Sequence, residues 1–85
     1  MEKRETLDCL EAGEVGEVIC LETAGDMRRR FLDLGLVEGT RVECIGKSPA
    51  GDPAAYLIRG AVIAIRQRSC EGIVIRRSER RSDEE

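Results

Sequence analysis

Polar and apolar positions change period twice along this chain, and each change marks an element. From Met27 the apolar residues Met27, Phe31 and Leu34 recur at helical spacing on one face. Thr23 with Asp26 three residues on reads as a cap, so a helix is predicted to start near Ala24. Gly35 should end it in the left-handed conformation, with Leu36 folding back toward Phe31 as the hydrophobic contact of a Schellman cap. Gly39 then turns the chain. From Thr40 the period becomes two, with Val42 and Cys44 on one face and Arg41 and Glu43 on the other, which predicts a half-buried strand.

The flanking segments read as further short strands. Thr6 to Leu10 is short and mixed, Glu11-Ala12-Gly13-Glu14 reads as a turn, and a strand follows from about Val15 to Leu21. Ser48 to Pro53 is a loop by its proline, glycine and aspartate content. Two runs, Ala54 to Ile58 and Ala61 to Arg66, flank Arg59-Gly60. With those two as a hairpin turn, Ile58 faces Ala61, Tyr56 faces Ile63 and Ala54 faces Ile65, placing one apolar set on a common face. Arginine is not what a primed turn prefers at its first position, so the pattern gives the pairing and leaves the turn type open. Gln67 to Cys70 reads as a helical link before a last strand from Gly72 to Arg76.

Many short strands in a small chain favour partial closure, because closure removes exposed sheet edges. The predicted fold is therefore mainly β: a small, partly open barrel of five to six short strands with one short α-helix inserted after the second strand. Residues 1–76 form its single domain. Arg76 to Glu85 holds almost nothing apolar, so residues 77–85 read as a charged, solvated tail.

Size and charge narrow the function. At 85 residues the chain builds one core, burying about 60 to 65 per cent of its unfolded surface. A binding or adaptor module is the default for that size. Hydrophobic residues make up 41% and charged residues 36%, which suits a globular domain. The net charge of -3 supplies no global positive field for phosphate backbones, so no nucleic-acid partner is expected. No segment approaches the roughly 18 apolar residues of a membrane span, and the charged N-terminus lacks a signal-peptide hydrophobic region. A cytoplasmic location is expected, with Cys9, Cys20, Cys44 and Cys70 as free thiols.

Those thiols lack the close spacing of a zinc or iron-sulfur knuckle, and histidine is absent. No metal site or cofactor is expected from the spacing, although distant thiols can meet in space. Burial beside Val42 is the expected use of Cys44. Catalysis has little to rest on, with no histidine, no nucleophile motif and no phosphate loop, so the chain is not expected to be an enzyme.

The run Arg28-Arg29-Arg30-Phe31-Leu32-Asp33-Leu34-Gly35-Leu36 with Gly39, then Ala50-Gly51-Asp52-Pro53, then Arg59-Gly60 and Ala64-Ile65-Arg66, resembles the FeoA family over roughly residues 6–76. These are small cytosolic proteins of the bacterial ferrous iron uptake system. The resemblance implies an SH3-like barrel and a non-catalytic accessory role beside the membrane permease, whose cytoplasmic GTP-binding domain is the usual proposed partner. Any membrane association would run through that permease. A similar fold forms the C-terminal module of iron-dependent repressors, which gives an alternative reading as a regulatory module. That reading needs a DNA-binding partner, since the chain has no helix-turn-helix of its own. A generic peptide-binding barrel is a further alternative, whereas the acidic balance and scarce aromatics disfavour RNA.

One departure from the family pattern suggests a site. Members commonly carry a polar or charged residue where Val62 stands. In the predicted register Leu57 and Val62 face each other on the outward side, with Ala55 and Ala64 as the next pair. Such a strip either packs under a terminal segment as ordinary surface apolar residues or forms a docking or self-association surface. Arg28, Arg29 and Arg30 span almost a full helical turn and read as a solvated face, with contact to an acidic partner as the alternative. Arg59 and Arg66 are similar. The candidate partner-binding set is Leu57, Val62, Arg59, Arg66 and Arg30. Phe31, Leu34, Gly35, Leu36, Gly39 and Gly60 are the expected structural set.

Overall fold

Alternating runs need neighbours to bury one face, and in the computed structural model, which describes residues 5–78, they find them in one antiparallel sheet. The strands are β1 (Glu5–Thr6), β2 (Val15–Leu21), β3 (Arg41–Lys47), β4 (Ala54–Ile58), β5 (Ala61–Ile65) and β6 (Ile73–Arg77). Helix α1 (Gly25–Asp33) follows β2, and the single helical turn α2 (Gln67–Cys70) joins β5 to β6. A 3₁₀ turn covers Leu7–Cys9. The strand order is β1-β6-β2-β3-β4-β5, so the last strand pairs between the first two. Register shifts at Val18/Cys20 and Cys44/Gly46 are bulges, which bend and twist the strands carrying them. Among the described residues β1 and β5 do not pair, so the barrel stays open between them.

The enclosed face carries Leu7, Leu10, Val18, Val42, Cys44, Tyr56, Ile58, Ile73 and Ile75, with Phe31 from α1 and Leu36 from beyond it. The helix ends as its sequence requires. Leu36 N–H donates to Phe31 O at 3.0 Å and Gly35 N–H to Leu32 O at 2.9 Å, the two bonds of a Schellman motif, with Gly35 at φ +97°.

Its start differs from the predicted one. Ala24 is the N-cap and no side chain caps it, so Thr23 does not have that role. A Cβ built on Gly72 would fall 2.1 Å from Thr23 Oγ1, and Glu22 N–H donates to Gly72 O at 2.7 Å. Thr23 is thus packed against the start of β6 rather than turned back onto the helix. The predicted buried face is also narrower. Phe31 is buried and Leu34 half-buried, but Met27 is exposed, because α1 lies against the core only through its last turn.

Strand β6 runs one residue into the predicted tail. Arg77 pairs with Gly16, and its guanidinium donates to Glu14 Oε1 at 2.9 Å, Glu5 Oε1 at 3.4 Å and Cys9 O at 3.2 Å. It therefore belongs to the domain. Residues 79–85 of the predicted tail lie outside the described residues.

Candidate functional site

The β4–β5 hairpin pairs in the predicted register: Ile58 with Ala61, Leu57 with Val62, Tyr56 with Ile63, Ala55 with Ala64, and Ala54 with Ile65. Arg59 has φ 50° and Gly60 φ 88°, so both central residues are left-handed and the turn is of the primed class that matches strand twist. Arginine at that position has a tertiary explanation. A Cβ on Gly35 would lie 2.1 Å from Arg59 Cδ, so the arginine stem lies directly over the bare glycine that caps α1. The hairpin turn and the helix stop are one joint.

The face predicted to turn inward is covered along β4 but only partly along β5, where Ala61 is exposed and Ile63 half-buried. Tyr56, Ile58, Ala54 and Ile65 are buried. On the other face Leu57 and Ala55 are half-buried, Ala64 is exposed, and Val62 is 63% exposed, the highest value among the exposed large apolar side chains of the described residues. Leu57 also stands opposite Glu43 on β3, so the row across the sheet reads Glu43, Leu57, Val62.

Beside that row lies a groove of about 500 Å³, lined by Gly39, Thr40, Arg41, Glu43, Leu57 and the Arg59-Gly60 turn. Its floor is fixed by Thr40, only 8% exposed, whose Oγ1 donates to Gly35 O at 2.7 Å and accepts from Val37 N–H at 3.3 Å. The groove offers one aliphatic wall, one carboxylate and two guanidinium groups. That combination suits a mixed polar and apolar protein contact.

The structure gathers Leu57, Val62 and Arg59 at one end of the hairpin. Arg66 is exposed just past the other end of β5, and Arg30 is exposed on α1. Arg28 Nη1 donates to Leu21 O at 3.2 Å, tying that arginine to its own neighbourhood. Of the residues expected to be structural, Phe31 and Leu36 are buried, Leu34 packs against the core, and Gly35, Gly39 and Gly60 have positive φ. Sequence reasoning missed Thr40, Arg41 and Glu43 as site residues. Alternation had already placed Arg41 and Glu43 outward, but only strand order puts them beside Leu57.

A second cavity of about 90 Å³ lies between Asp8, Lys47, Asp52 and Tyr56, far below the volume of an ordinary ligand pocket. Asp52 Oδ1 there accepts from Gln67 N–H at 2.9 Å, which satisfies the start of α2. Among the described residues no three metal-ligating side chains come together. Cys44 and Cys70 are buried, and Cys70 Sγ donates to Tyr56 Oη at 3.6 Å. Burial pushes the Cys70 thiol up to about 11 and raises the Tyr56 phenol and the Cys44 thiol too, so all three stay protonated near neutral pH. The exposed Cys9 and Cys20 are therefore expected to react with a maleimide at about pH 7.5, while Cys44 and Cys70 react only after denaturation, as mass spectrometry would show.

With this geometry in hand, comparison with known proteins decides the family. The FeoA domain family model matches residues 5–77, almost the whole described chain. The chain belongs to the FeoA family. The FeoA protein of Chlorobium tepidum, solved in solution, is 33% identical at a TM-score of 0.81, covering 86% of this chain and 70% of that one. A FeoA of Stenotrophomonas maltophilia complexed with zinc, described as a procaryotic SH3 domain protein, has a TM-score of 0.75 at 24% identity over 84% of this FeoA-family chain and 88% of its own. It places the open barrel among SH3-like folds. A manganese-dependent transcriptional repressor shares the fold at a TM-score of 0.79 and 16% identity, covering 92% of this chain and 43% of the repressor. No curated protein matches the chain.

Proposed function

We propose that this FeoA-family chain is a non-catalytic, cytoplasmic accessory protein of ferrous iron transport. It docks through the β4–β5 hairpin on the cytoplasmic GTP-binding domain of a ferrous iron permease, modulates that protein's assembly or activity, and meets the membrane only through it. Family membership supports the pathway, and the Stenotrophomonas relative is described as a candidate ferrous iron transport activating factor. The observation that carries the docking surface is the exposed Val62 paired with half-buried Leu57, which itself lines the groove with Arg41, Glu43 and Arg59. The non-catalytic part of this reading rests on family membership.

The reading is tested by NMR titration of labelled protein with the permease's soluble GTP-binding domain, with and without nucleotide. Shifts should centre on Leu57, Val62 and the groove. The double substitution Leu57→Lys with Val62→Lys should weaken binding by about tenfold or more, at least 1.4 kcal/mol, while the core resonances stay in place. Absence of shifts up to several hundred micromolar partner would overturn it.

A further inference from the structure

Val42 pairs with Ile58, so Arg41 on β3 stands level with Arg59, the first residue of the hairpin turn. Both arginines line the groove, and like charges set opposite each other destabilise a sheet. Glu43 lines the same groove and Glu17 faces Arg41 from β2. Even so, among the described residues neither guanidinium is in an ion pair, whereas that of Arg77 is held by Glu5 and Glu14. Two neighbouring arginines of this kind fit the paired oxygens of carboxylates.

The chain itself carries such carboxylates within reach. Just past β6, Ser78 N–H donates to Val15 O, and Val15 stands in one row with Glu43 and Leu57. The backbone therefore leaves the sheet two strand steps from β3 and three from β4, one level from the arginines. At about 4.8 Å per step and about 3.3 Å per residue, Arg41 and Arg59 lie about 12 and 16 Å from Ser78 along the sheet. Extended, the run from Glu79 to Glu85 spans up to about 23 Å, and Asp83 is reached at about 16 Å. Its charges also come in a matching order. Arg80 and Arg81 precede Asp83, Glu84 and Glu85, while the sheet presents Glu17 on β2, then Glu43 and Arg41 on β3, then Arg59 after β4. A second copy offers the same carboxylates only at its bulk concentration, but a short tether holds the chain's own at an effective concentration of about millimolar.

We propose that Arg41 and Arg59 form a carboxylate-binding site whose occupant is the chain's own Asp83-Glu84-Glu85 run, with Arg80 and Arg81 lying against Glu17 and Glu43 on the way. Bound there, the run covers the groove beside Leu57, and a docking partner must displace it. The contact stands on charge and reach; only its consequence for docking rests on the functional reading above.

The test uses labelled full-length chain. Neutralising the run with Asp83→Asn, Glu84→Gln and Glu85→Gln should shift the Arg41 and Arg59 Nε–H signals and the Gly39 and Gly60 amides, and leave the core signals in place. Glu79→Gln, which removes a carboxylate next to β6, should leave the groove signals unmoved. Raising salt to about 0.5 M should move the wild-type groove signals in the same direction as neutralisation does, and those of the neutralised chain hardly at all. A synthetic peptide of residues 79–85 should bind the neutralised chain about threefold or more tighter than the wild type, whose groove is already filled. Arg41→Gln should remove that difference, and it leaves the contact of Arg59 with Gly35 untouched. Unmoved groove signals in the neutralised chain, or equal peptide affinity for the two chains, would overturn the proposal. So would groove shifts that grow with protein concentration, which would assign the carboxylates to a second copy. No permease domain enters this experiment, so its failure leaves the domain titration standing as a separate result.

Discussion

Phe31→Ala is expected to lower the stability of this domain by about 3–5 kcal/mol. Phe31 is the only buried residue of α1, and it sits in the shared core with Leu36. A nine-residue helix is too short to persist without tertiary support, so removing its one anchor should release the helix as well as leave a cavity. Urea denaturation should show the fall in midpoint, and hydrogen exchange should show α1 amides losing protection before those of β2 and β3. A loss below about 1 kcal/mol would mean that the helix is held by its exposed face instead.

Gly35→Ala is expected to cost about 1–3 kcal/mol, from two separable sources. The first is backbone strain, since φ is +97° and the Schellman bonds require it. The second is the Arg59 stem, which the new methyl group would displace. Gly39→Ala separates them, because Gly39 has nearly the same φ, +93°, while its nearest contact would be 4.0 Å away. Denaturation of both variants should show Gly35→Ala as the more costly. Adding Arg59→Ala should relieve part of the Gly35→Ala cost and none of the Gly39→Ala cost, which a double-mutant cycle reads directly. Equal costs at the two glycines would show that the Arg59 stem moves freely and does not lock the turn to the helix.

That joint shows where local reading stops. Gly35 as a helix stop and Gly60 as a turn residue each follow from a few neighbouring letters, because their conformations answer to bonds within five residues. That Arg59 lies over Gly35 does not, since the two are brought together only when the hairpin folds across the α1–β3 connection. The same limit explains Thr23, which has the right identity and spacing for a cap. Glu22 N–H bonds Gly72 O instead, and the contact with Gly72 takes the side chain. Met27 obeyed the helical period, but period reports which residues share a face and not how much of the face is covered.

The sequence by itself determined the five strands β2 to β6, the Schellman stop, the hairpin register and the outward position of Leu57 and Val62, and the FeoA resemblance, whereas the Thr6 to Leu10 run folds mostly as a 3₁₀ turn after the two-residue β1. Apart from the resemblance, which rests on motifs matched in order, each rests on periodicity or turn chemistry, which act between residues close in the chain. Tertiary structure alone decided that β6 inserts between β1 and β2, that Arg77 is part of the domain, that Arg41 and Glu43 share a groove with Leu57, and that β5 is left with a free edge. Those outcomes depend on which strands become neighbours. A period of two tells each strand which side to bury and carries no mark of its partner.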